Sequence, residues 1–176
     1  TGMFSFVVFD QVDEVVFCAR DGFGIKPIYF LLDQENFYFA SEINSLQMIL
    51  SRKQELNFQR AYDFLVYDNY DDSESTFFHS ICQLMPGHLL EISFTSEKMK
   101  VSKRRWWIPK VEEINSITFE DAAEILREKF LANIRLHLRS DVPFAANLSG
   151  GLDSSAIVCA IRHLEPEIPL HTFTYV

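Results

Sequence analysis

The chain has 176 residues, 48% hydrophobic and 23% charged, a balance that excludes disorder and collagen-like structure and suits one ordinary domain or two small ones. Lys and Arg number 16 against 25 Asp and Glu, a formal charge of -9 with no long basic run, which argues against a nucleic-acid partner. No apolar stretch approaches the roughly 18 residues of a membrane span, and no basic-then-apolar start resembles a signal peptide, so the expectation is a cytoplasmic protein with no membrane partner.

The first 42 residues read as strands. Gly2 to Asp10 is a near-continuous apolar run, as expected of a strand buried on both faces. A polar turn at Gln11 to Asp13 leads to a second strand, Glu14 to Arg20, which Asp21-Gly22-Phe23-Gly24 breaks. Lys26 to Leu32 and Asn36 to Ala40 follow, joined by a turn at Asp33 to Glu35, so the expected start is a four-stranded antiparallel meander. Ser41 is placed to cap a short helix from Ile43 to Leu50, and a second helix is predicted from Asn57 to about Tyr67. An acidic loop spans Asp68 to Ser75, and Pro86-Gly87 turns into a strand from His88 to Phe94. The strand-like stretch Met99 to Trp107 follows the cation Lys98 and carries Lys100, Lys103, Arg104 and Arg105. This cluster could bind an anion, but a solvated strand face is the simpler reading.

Residues 109–117 read as a linker, and the texture then changes. Thr118 can cap a helix, with Asp121 three residues on as a capping-box variant. Ala122, Leu126, Phe130, Ile134 and Leu138 form one apolar stripe. Ser140 to Pro143 ends that helix. Phe144 to Leu148 is a predicted buried strand, Ser149 to Ser155 a loop with a helix opening near Ser154, Ala156 to Leu164 helix, and Pro169 to Val176 the next strand. Strand, glycine loop, helix and strand make a βαβ unit, which builds parallel sheets. The fold class is therefore α+β antiparallel, followed by the opening of an α/β domain.

The loop Ser149-Gly-Gly-Leu-Asp-Ser-Ser155 carries the chemistry. Ser149, Ser154 and Ser155 offer hydroxyls, and the helix start offers free backbone N–H groups and a positive dipole end. Together they form an anion cradle suited to phosphate. Gly150 and Gly151 are expected where a side chain would block the phosphate or force an unfavourable backbone. Asp153 would repel phosphate by itself, so its expected use is to hold Mg2+ that the phosphates share. The Walker lysine and the GxGxxG pattern are both missing from the sequence, which removes ordinary P-loop and dinucleotide readings.

At these residues the sequence resembles a known family. SGGLDSS, with SDVP a few residues earlier, is similar to the pyrophosphate loop of N-type ATP pyrophosphatases, and Ser140 to Ser155 resembles the asparagine synthetases. Gly2 to Phe6, Ala19 to Tyr29 and Phe39 to Ile43 are similar to the latter half of a class II glutamine amidotransferase domain, and Pro86 to His88 with Trp106-Trp107 fit its end. Gly22 departs from the pattern, where the family usually has a larger residue. The resemblance implies residues 1–108 as the C-terminal portion of an amidotransferase sandwich of the N-terminal-nucleophile type. Residues 109–117 become the linker, and 118–176 the start of an ATP-pyrophosphatase domain with a parallel sheet.

The activity so implied is glutamine-hydrolysing asparagine synthesis. Glutamine yields ammonia; ATP adenylates the aspartate side chain; ammonia displaces AMP. Implied substrates are ATP, aspartate and glutamine, with Mg2+ as cofactor, and a homodimer is implied for the full-length form. The nucleotide would meet Leu148, Ser149, Gly150, Gly151, Asp153, Ser154, Ser155 and Tyr175. The family's nucleophilic cysteine matches no residue here: Thr1 precedes an internal motif, and Cys18 sits mid-strand. With its apolar start and strand-like end, the chain is expected to be a piece of a longer protein, inactive toward glutamine by itself. β-Lactam synthetases and lasso-peptide cyclases resemble the same pair of domains and are the alternative, beside a non-catalytic interaction module. Cys18, Cys82 and Cys159 are flanked by apolar residues and expected in cores. His79, His88, His137, His163 and His171 lack metal-ligand spacing.

Overall fold

The structure, a computed structural model, describes residues 2–33, 35–50, 54–94, 99–113 and 116–175. Thr1, Lys98, Val176 and two linker positions of the sequence reading lie outside them. The chain divides into two compact units, Thr1–Lys110 and Val111–Val176.

In the first unit, β1 (Ser5–Asp10) and β2 (Val15–Arg20) form an antiparallel hairpin. The Asp10 side chain accepts the N–H groups of Val12 and Asp13 in the turn. A second hairpin joins β3 (Tyr29–Leu32) and β4 (Phe37–Ala40). The two hairpins do not continue one another, so the expected four-stranded meander is not formed. With β5 (Cys82–Gln83), β6 (His88–Phe94) and β7 (Met99–Arg105), they build separate sheets ordered β1-β2-β6-β7 and β4-β3-β5.

The split has a local cause. After β2 the backbone turns out of the first sheet, and its polar groups are met by two buried side chains rather than by a strand partner. Asp21 accepts the N–H groups of Phe4, Phe23, Ile25 and Lys26 at 3.0–3.3 Å. Arg20 donates to the carbonyl oxygens of Gly24, Lys26 and Leu84 and to Gln83 Oε1. Strand β2 then finds its other neighbour in β6, far along the chain.

Apolar side chains from both sheets, with Val16, Cys18, Phe30, Leu90 and Ile92 among them, make one core. Alternation along β3 sends Leu31 to the opposite face, where it meets Leu46 of helix α1 (Ile43–Ile49) and Ile81. Strand β1 lies at a sheet edge and packs on one face only. Phe6 and Val8 are 46% and 52% exposed, against the expectation of burial on both faces. Helix α1 is capped at Glu42 without a side-chain bond. Ser41 stands one residue too early for the role expected of it. Helix α2 (Phe58–Tyr67) starts at Asn57, whose side chain accepts the Arg60 N–H. Strand β7 is an edge strand with its cations largely exposed, and Lys103 pairs with Glu74.

Gly22, the departure from the family pattern, has a steric explanation. A Cβ there would lie 2.7 Å from the indole of Trp107. Phe23 packs on the same ring, with centroids 4.9 Å apart. The methyl of Gly22→Ala has to displace a packed indole, and we expect a loss of roughly 1–3 kcal/mol. Thermal melting and indole fluorescence measure it; an unchanged melt would mean that Trp107 yields freely.

In the second unit, α3 (Phe119–His137) is capped by Thr118, whose Oγ1 accepts the Asp121 N–H at 3.1 Å. The expected stripe packs only in its C-terminal part. Ile134 is buried, with Phe130, Leu131 and Leu138 against the same core, whereas Leu126 is 69% exposed. A spacing of four overshoots the 3.6-residue turn, so the stripe winds around the helix and away from the core. Strands β8 (Ala145–Asn147) and β9 (His171–Phe173) pair in parallel across α4 (Leu152–Leu164), the βαβ order read from sequence.

Strand β8 is not buried as expected. Among the described residues no third strand joins the pair, and the flanking Phe144 and Leu170 supply the packing instead. Of the cysteines, Cys18 is buried, Cys82 half-buried and Cys159 exposed, so the core expectation fails for Cys159. Its neighbours Ala160 and Ile161 occupy the packed side of α4.

Candidate functional site

The loop between β8 and α4 starts where the parallel pair ends. Leu148 N–H donates to the Phe173 carbonyl at 2.8 Å, and Thr174 Oγ1 donates to the Leu148 carbonyl at 2.7 Å. These two bonds hold the segment leading to Tyr175 beside Leu148. Leu148 is half-buried, and Tyr175 is exposed among the described residues.

Helix α4 begins earlier than the sequence suggests. Gly151 is its N-cap and makes no side-chain cap bond, so Asp153, Ser154 and Ser155 all stand in the first turn. The leading N–H groups of a helix have no intrahelical acceptor, and a glycine cap leaves them to whatever approaches from outside. The positive end of the helix lies at the same place.

The serines are tied to the loop. Ser154 Oγ accepts the Ser149 N–H at 3.2 Å, lies 3.1 Å from Ser149 Oγ, and donates to the Gly151 carbonyl. Ser155 Oγ donates to that same carbonyl at 2.8 Å, beside the helical bond from Ser155 N–H. One carbonyl has two lone pairs, so three donors oversubscribe it and one hydroxyl proton is free to turn elsewhere. The two glycines differ. Gly150 has φ 82°, in the left-handed region, with nothing within 4 Å of an added Cβ. Gly151 has φ -77°, which any residue adopts, so the backbone requires glycine only at Gly150.

Asp153 is exposed. Among the described residues no three His, Cys, Asp or Glu gather into a metal-binding group. A single exposed carboxylate at a helix start can supply only part of a cation's oxygen ligands, and the rest would have to come from outside these residues.

In the first unit, Cys18 is the buried thiol closest to a nucleophile in type, and burial pushes its pKa up to about 12. It is held as a neutral thiol at physiological pH, unlike a reactive cysteine. Sequence reading missed the Arg20–Asp21 pair that organises this unit. An Arg-Asp dipeptide ending an apolar strand and followed by two glycines was the available signal.

Comparisons with known proteins fit these two units. The glutamine amidotransferase domain family matches residues 1–107, and the asparagine synthase family matches residues 125–176. A putative glutamine-hydrolysing asparagine synthetase of Methanocaldococcus jannaschii is 29% identical over 98% of this chain and 33% of its own length. Asparagine synthetase 3 of Bacillus subtilis is 31% identical over 98% of this chain and 28% of its own. The amidase chry2 of Gibberella zeae is 31% identical over 93% and 24%. The chain thus spans a quarter to a third of the length of these relatives. With both segments matched in this order, the chain belongs to the glutamine-hydrolysing asparagine synthetase family, an amidotransferase segment followed by an asparagine synthase segment.

Proposed function

We propose that the intact protein is a glutamine-dependent asparagine synthetase. It adenylates the aspartate side-chain carboxylate with ATP, then amidates it with ammonia from glutamine, releasing AMP, pyrophosphate and glutamate. The observation that carries this reading is the loop 149–155: a glycine-capped helix start with open N–H groups at the end of a parallel strand. Leu148 and Tyr175 flank the nucleotide. Gly150 and Gly151 leave room for the pyrophosphate, and Ser149, Ser154 and Ser155 surround it. The leading N–H groups of α4 take up charge as pyrophosphate leaves. Asp153 would hold Mg2+, which when bound supplies further charge neutralisation on the phosphates.

On this reading residues 1–108 are amidotransferase, 109–117 linker and 118–176 the opening of an ATP-pyrophosphatase domain. The protein works in the cytoplasm on small molecules, as a homodimer. No residue of this chain is assigned as glutaminase nucleophile, and the chain by itself is inactive toward glutamine. No helix among the described residues is long and apolar enough to cross a membrane.

The test is ATP–pyrophosphate exchange by the intact protein. We expect exchange to depend on aspartate; exchange that ignores aspartate rejects the acceptor. The alternative reading, a ligase like the β-lactam synthetases, keeps the same adenylation and takes another carboxylate acceptor. A panel of carboxylic acids in the same assay separates the two.

The loop geometry gives a further expected result. Gly150→Ala places a methyl-bearing residue at φ 82°, which costs about 1–2 kcal/mol. The cradle then relaxes away from its open shape, and exchange should fall about tenfold. Ala156→Gly, in the second turn of α4, should cost about 1 kcal/mol of helix stability and leave exchange nearly intact. Equal exchange rates in both variants would show that the loop's shape is irrelevant to nucleotide chemistry.

A further inference from the structure

The peptide that joins Leu148 to Ser149 is where the chain leaves the parallel pair and enters the loop. Its carbonyl belongs to Leu148 and its N–H to Ser149, and the whole unit is held in one plane. Two side chains from different elements grip it. Thr174, just past β9, donates its hydroxyl to the carbonyl at 2.7 Å. Ser154, in the first turn of α4, accepts the N–H on its Oγ at 3.2 Å.

The first of these bonds stands where main-chain pairing gives out. Asn147 pairs with Phe173, and the Leu148 N–H still reaches the Phe173 carbonyl at 2.8 Å. One step further along a parallel ladder, the Leu148 carbonyl would take the N–H of Tyr175. It takes the Thr174 hydroxyl instead. A side-chain donor in that role satisfies the carbonyl and lets the two backbones diverge, Leu148 into the loop and Tyr175 towards solvent.

The grip reaches the helix start. Turning the plane of this peptide would withdraw the Ser149 N–H from Ser154 Oγ, which also lies 3.1 Å from Ser149 Oγ and donates to the carbonyl of the N-cap Gly151. A change at Thr174 is therefore passed to the first turn of α4 through one peptide and one hydroxyl. We infer that Thr174 is a positioning residue for the nucleotide chemistry: its hydroxyl fixes the Leu148–Ser149 peptide, and through it the loop that meets the leaving pyrophosphate. This rests on the nucleotide reading of residues 149–155. Thr174 acts through Leu148 and Ser154, not on the reacting atoms.

The test compares two variants of the intact protein. Thr174→Val keeps the branched shape and removes the donor, whereas Thr174→Ser keeps the donor. Thr174 is exposed, so water can meet the freed carbonyl, and both variants should melt with the wild type. In Thr174→Val the Ser149 N–H should take up deuterium faster, read by millisecond labelling and mass spectrometry. Its kcat for aspartate-dependent ATP–pyrophosphate exchange should fall about tenfold, with KM for ATP little changed. Thr174→Ser should restore both. The inference is overturned if Thr174→Val labels at Ser149 like the wild type, if kcat is unchanged or only KM moves, or if Thr174→Ser loses as much as Thr174→Val. A wild type without aspartate-dependent exchange overturns the functional reading instead. Deuterium labelling, which needs no substrate, then decides alone whether Thr174 holds the loop.

Discussion

Asp153→Asn in the intact protein is expected to lower aspartate-dependent pyrophosphate release about a hundredfold, equivalent to about 2.7 kcal/mol of transition-state stabilisation. The substitution keeps the size and the first-turn position of residue 153 and removes its charge. In an anion cradle, neutralising a carboxylate would by itself improve phosphate binding. A fall in rate therefore separates a cation-holding aspartate from one that merely sits at a helix start, where an exposed acidic residue is worth only about 0.3–1 kcal/mol of stability. Glutamine hydrolysis should change far less, since the amidotransferase segment is a separate compact unit. Unchanged pyrophosphate release would remove the loop from the nucleotide site.

The largest expected effect on stability belongs to Asp21. It is 1% exposed and accepts four backbone N–H groups. Asp21→Ala leaves these donors without an acceptor and leaves the neighbouring Arg20 guanidinium with less compensation. We expect a loss of about 3–5 kcal/mol, read by denaturant unfolding. Asp21→Asn should also destabilise, because its amide NH2 would face N–H donors.

The same carboxyl predicts a pH dependence. Burial acts to raise its pKa, but the N–H groups of Lys26, Ile25, Phe4 and Phe23 outweigh it and hold the pKa below the ordinary 3.8. A carboxyl with a depressed folded pKa adds stability that is fully present above the unfolded value. That stability is lost as pH falls below about 4 and through the folded pKa. Wild type should therefore lose stability more steeply in this acid range than Asp21→Ala. Parallel acid profiles would mean that Asp21 is not the group that titrates.

Local patterns were legible wherever the signal lay within a few neighbouring residues. Asn57 and Thr118 cap their helices because a side-chain oxygen needs only to reach an N–H three residues on. The strand–loop–helix–strand order at 144–173 followed from apolar runs broken by glycines, and SGGLDSS singled out a loop that opens a helix with a glycine cap. The amidotransferase and synthase segments, too, could be read from short motifs alone.

What the sequence did not determine were choices between distant partners. Whether β2 pairs onward with β3 or with β6 depends on where Asp21 and Arg20 send their hydrogen bonds, and these reach residues up to 64 positions away. The exposure of β1 and β8 depends on how many neighbours each strand finds, which an apolar run does not encode. Nothing in the sequence marks Arg60; only packing makes this helix residue a buried one. Gly150 and Gly151 look alike in sequence, but the turn places one at positive φ and lets the other cap a helix. Side-chain reach of three or four residues is written in the chain, whereas burial and pairing are properties of the surfaces that meet once it has folded.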